Sequence, residues 1–131
     1  MHEAAKAGVA YFAIAFAIAF VLGALRVLFV APRVGEFGAV LIEVPIMLTV
    51  SWLVCGWVLN RIAVPASIGA RLVMGAVAFA LLMAAEFALG IYGFGNTAGE
   101  IVSSFARPPG QLGLAGQVGF ALMPTLRLIA R

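Results

Sequence analysis

The sequence predicts an all-α fold: an integral membrane, antiparallel four-helix transmembrane bundle occupying residues 1–131 as a single domain. Three observations carry that expectation. Hydrophobic residues make up 65% of the chain and charged residues only 10%, with a mean hydropathy of +1.17, which is more apolar surface than a soluble domain of this size buries. The apolar residues gather into runs of about 20, the length a helix needs to cross a hydrocarbon core. The alternating segments of about ten residues that an outer-membrane barrel requires are absent.

Four spans are placed, at about residues 10–30, 37–59, 68–92 and 112–129. The first helix begins near Glu3, whose carboxylate suits the positive end of a helix dipole. It is expected to stop at Ala31-Pro32, because a residue before proline is pushed out of helical geometry. Its apolar run is longer than the core of a secretory signal and no small-residue cleavage site precedes a polar domain, so it is read as a permanent helix. Glu36 opens the second helix and Asn60-Arg61 close it. Pro65 and Ser67, the latter an N-cap, introduce the third. Gly90, Gly93 and Gly95 dissolve its far end.

The outer loop, residues 93–110, contains TAGEIVSSFARPP. Thr97 followed by Glu100 is a capping-box pattern, and Ile101, Val102 and Phe105 fall on one side of a short interfacial helix that Pro108-Pro109 would end. Pro45 and Pro124 lie inside the second and fourth spans. Each removes one backbone donor and crowds the carbonyl four residues back.

Charge sets the orientation and excludes several function classes. Alternating the loops between two sides places Lys6, Arg61, Arg71, Arg127 and Arg131 on one and only Arg33 and Arg107 on the other. Lysine and arginine accumulate on the cytoplasmic side, so both termini are expected there, in a bacterial inner membrane. The net charge is +3, but the basic residues are scattered singly, which points away from nucleic acid. Cys55 is alone, His2 is terminal and aspartate is absent. Thiolate and histidine metal sites, haem ligation and a serine-histidine-acid triad therefore lack their parts, and no metal or cofactor is expected.

The positions of the remaining charges carry the functional reading. Counted at about 1.5 Å per residue, Arg26, Glu43, Glu86 and Gln117 each stand five or six residues inside the outer end of a different span. They share one layer, roughly 7 to 10 Å below the hydrocarbon boundary. Arg26 follows the small residues Ala15, Ala19 and Gly23 around its helix, and small residues mark close helix contacts in membranes. Glu36, Glu43, Met47 and Ser51 share a face of the second helix.

An ionised side chain at the centre of a membrane helix costs about 2.5 to 3.5 kcal/mol on insertion scales, so clustering is favoured over isolation. One arginine then faces two glutamates. The second carboxylate must hold a proton, find a cation or reach water.

Three functions follow as expectations. The first is a binding or transport component for a proton, ion or small polar group, held by Arg26, Glu43, Glu86 and Gln117. The second is an accessory subunit packed by alanine and glycine seams into a larger membrane complex. The third is an intramembrane enzyme acting on a lipid or isoprenoid, which no nucleophile or metal constellation supports, so no catalytic residue is assigned. A bundle this small leaves little room for a permeation path of its own, so a homo-oligomer or a larger complex in the bilayer is the expected state.

Overall fold

The structure, a computed structural model, describes residues 2–93 and 95–129, the side chain of Pro109 excepted. Arg131, counted above among the cytoplasmic cations, lies outside the described residues. The described chain is helical and contains no strand. Helix α1 (His2–Leu25) runs through a π turn (Arg26–Val30) into α2 (Ala31–Arg61). Helix α3 (Ile68–Ala88) ends in a second π turn (Leu89–Gly93), and α4 (Ala98–Ser104) and α5 (Pro108–Ile129) follow. Three stretches are long and apolar enough to cross a membrane: His2–Arg61, Ile68–Gly93 and Gly110–Ile129.

The first of these is not a straight rod. Gly35 has φ 82° and ψ 166°, a region that only glycine enters without strain. Arg26 and Glu43 lie on either side of it and meet at 2.7 Å. Seventeen residues of straight helix would hold their backbones about 25 Å apart. The run therefore doubles back at Gly35.

The helix continues through Pro32 to that glycine, past the stop expected at Ala31-Pro32. The preceding π turn explains the difference. The Ala31 N–H donates to the Arg26 carbonyl, five residues back, and this widened turn accommodates the donor that Pro32 lacks and the bulk of its ring.

Local chemistry sets the other boundaries. The Ser67 hydroxyl accepts from the Ala70 N–H at 3.2 Å and caps α3. Thr97 and Glu100 form a reciprocal capping box on α4, at 3.1 and 2.9 Å. Helix α5 starts at Pro108, four residues before the expected Leu112. Proline suits a first helical position, where its missing N–H would have no partner in any case. The pair expected to end the interfacial helix thus opens the next one.

The core lies toward the first residues of the chain. Ala4, Ala7, Gly8, Tyr11 and Ala15 form the buried stripe of α1. They pack with Ala70, Met74 and Ala78 of α3, with Val54, Cys55 and Val58 of α2, and with Phe120 and Met123 of α5. The helices approach so closely that a Cβ on Gly75 would overlap the Ala121 carbonyl, the backbone-to-backbone contact that small residues permit. Large apolar side chains such as Phe20, Leu28, Phe29, Leu41, Ile46 and Leu53 stand exposed around the outside. That coat suits acyl chains and would be a liability in water.

Candidate functional site

The four polar residues of the expected layer arrive from four different elements. Arg26 opens the first π turn, Glu43 sits eight residues beyond the Gly35 reversal on α2, Glu86 is near the end of α3, and Gln117 is on α5. All four line one cavity of about 150 Å³. Its remaining walls are mainly apolar, with Phe16, Met47, Leu82 and Phe120 among them, and Ser51 is a further polar group in its lining.

Two contacts organise the layer. The Arg26 guanidinium donates through Nη1 to Glu43 Oε2 at 2.7 Å, with the two side chains 34% and 17% exposed. Gln117 Nε2 donates to Glu86 Oε1. These bonds give the two carboxylates different kinds of donor. Arg26 is matched by a carboxylate, whereas the bond to Glu86 comes from a neutral amide. Gln117 Oε1 is closed off from solvent and has no hydrogen-bond partner among the described residues.

A second cavity, of about 190 Å³, lies beside the first on the side of α4. Arg26, Val40, Gly113 and Gln117 line both. Glu36, Ser104 and Arg107 line the second and not the first. Glu36 and Glu43 are one α2 face split between the two cavities, and Arg26 stands at the partition.

A different polar network occupies the core, and sequence reasoning missed it. The Tyr11 hydroxyl donates to the Phe120 carbonyl at 2.6 Å, and its ring stacks on Phe120 with centroids 4.3 Å apart. Phe120 is four residues before Pro124, so proline has removed that carbonyl's usual helical partner. Arg71 Nη1 donates to the Pro124 carbonyl at 3.1 Å. Arg127 donates from Nε and Nη2 to the Trp52 carbonyl at 3.1 and 2.7 Å, with its guanidinium 4.2 Å from the Trp52 ring centre.

Arg71 and Arg127, counted in the sequence as markers of the cytoplasmic side, therefore turn inward; Arg71 is only 8% exposed. The signal that could have found this network was Pro124 itself, since a freed buried carbonyl demands a donor from somewhere.

The site can hold a small group by charge, hydrogen bonding and apolar contact. No group of three histidine, cysteine, aspartate or glutamate side chains placed to hold a metal occurs among the described residues. No family model, curated protein or solved structure matches the chain.

Proposed function

We propose that this protein is a small polytopic component of a bacterial inner membrane that binds or transports a proton, an ion or a small polar group. One observation carries the reading: a cavity with apolar walls receives Arg26, Glu43, Glu86 and Gln117 from four elements of an otherwise greasy chain. Ligand sites are mostly apolar hollows with a few convergent polar groups, and ionisable side chains within membrane helices mark ion and substrate routes.

The topology that goes with it is four antiparallel spans with both termini cytoplasmic. Contacts between helices support that arrangement by their order. Arg26 meets Glu43 and Tyr11 shares the core with the α2 residues Val54 and Cys55, so positions fall on α1 as they rise on α2. Arg71 reaches Pro124 while Glu86 reaches Gln117, so α3 and α5 also run oppositely. The cavity then lies toward the outer face, with α4 above it. Lys6 and Arg61 lie at the opposite, cytoplasmic end. A bundle of this size is proposed to work as a homo-oligomer or within a larger assembly, which purification in mild detergent distinguishes.

The test is flux. Reconstituted protein should carry a pH-dependent proton or ion current into liposomes, and Glu86→Gln should abolish it while leaving the protein helical and monodisperse. A current that survives Glu86→Gln unchanged removes Glu86 from the pathway and with it this reading.

A further inference from the structure

We infer that the ligand of the cavity is a small organic monocation, a protonated amine with a compact alkyl body; this rests on the binding reading above and names its ligand class. The first argument is charge. Of the groups lining the cavity, Arg26 contributes one positive charge and Glu43 and Glu86 one negative charge each when ionised. Arg26 is held on Glu43 at 2.7 Å. Glu86 is held by an uncharged amide. Closing the account takes one further positive charge, either a proton on the second carboxyl or a bound cation that replaces it, because a buried uncompensated ion is costlier than both.

The second argument is the hydrogen-bond inventory, which is independent of charge. One donor atom of each group at the wall is committed, Arg26 Nη1 to Glu43 and Gln117 Nε2 to Glu86. Acceptors also stay open. Gln117 Oε1 has no partner among the described residues but is itself closed off from water, so the acceptors within a ligand's reach are carboxylate oxygens. A carboxylate accepts at two oxygens, and the bond from Gln117 falls on Oε1 of Glu86. A ligand that completes this site must donate several hydrogen bonds from one point, as an ammonium group does with its three N–H bonds.

The third argument is volume and lining. About 150 Å³ is the size of cavity that accepts a single benzene-sized molecule. Phe16, Leu82, Met47 and Phe120 offer that molecule apolar and aromatic surface, and ring faces attract cations as well. An anion would have to sit beside two carboxylates. A neutral alcohol of the same shape brings no charge and leaves the second carboxyl to keep its proton.

Three isosteres decide the matter on the unaltered protein in nanodiscs: isobutylammonium, isobutanol and isobutyrate, with affinities read by saturation-transfer NMR and calorimetry. Isobutylammonium should bind at least about tenfold more tightly than either of the others, the gain expected for a charge-assisted hydrogen bond. Glu86→Gln should erase that preference, and Glu3→Gln, at the far end of α1, should leave it intact. Equal binding of ammonium and alcohol, tightest binding of isobutyrate, or no binding of any of the three overturns the cation assignment. Those failures are separable from failure of the binding reading, because a liposome current that depends on Glu86 can persist when no amine binds.

Discussion

At the level of Tyr11 the long helices close on one another, whereas at the level of Arg26 they part around two cavities. Both levels contain arginine and both contain a side-chain network, so polarity alone does not separate them. The partners do. Tyr11, Arg71 and Arg127 spend their donors on backbone carbonyls of Phe120, Pro124 and Trp52. Such acceptors are fixed by the helices, and the bonds hold one helix to another. Arg26, Glu43, Glu86 and Gln117 bond side chain to side chain and leave an acceptor over. A network closed on the backbone is suited to holding register. One left open beside a cavity is suited to holding something else.

Substitutions at the two levels should therefore fail in different ways. The largest effect belongs to the closed level. Gly75→Leu drives a branched side chain into the Ala121 carbonyl, a backbone contact that cannot rotate away, and is expected to cost about 3 kcal/mol or more. It should be read as loss of monodisperse protein and a collapsed thermal transition.

Tyr11→Phe keeps the stack on Phe120 but strips the donor from a carbonyl that Pro124 has already deprived of its helical partner. A loss of about 1 to 3 kcal/mol is expected, measured by denaturant unfolding in detergent, with liposome flux per folded molecule unchanged. A flux defect at constant stability would break the division between the levels.

Arg26→Gln should behave conversely. Its guanidinium is about a third exposed, so its pair with Glu43 is partly screened and its loss should shift stability by about 1 kcal/mol or less. Flux should change far more than stability does. Comparable losses in both would place Arg26 with the structural network.

The contrast also explains what the sequence could and could not show. Membrane character and the helical class follow from composition and run length, because backbone polar groups in lipid must be satisfied within the segment. Arg26, Glu43, Glu86 and Gln117 stood out because charges and amides inside apolar runs are expensive and few, and counting residues from the span ends gives their height.

Tyr11 did not stand out, since a tyrosine in an apolar helix reads as one more large side chain. Arg71 and Arg127 read as helix-end markers because inward and outward arginines look the same until helix packing is known. The reversal at Gly35 falls in the gap expected between the first two spans, but Pro32 resembles a stop until the π turn that accommodates it is seen, so the helix runs further than expected before turning. Helix α5 began early for a related reason: Pro108 ends one helix or starts another with equal local chemistry, and the neighbouring element decides.

The central claim is that the Arg26 level is open to the outer face while the Tyr11 level is shut. Gly113 tests it directly, since it lines both cavities and a Cβ placed there meets nothing within 4 Å. Cys55 is a built-in reference, a buried thiol in the closed core. Gly113→Cys in sealed right-side-out vesicles, treated with a membrane-impermeant maleimide and mapped by mass spectrometry, should be labelled at 113 and unlabelled at Cys55 until the protein is denatured. Protection of position 113, or modification of Cys55 at a matching rate, would contradict the account.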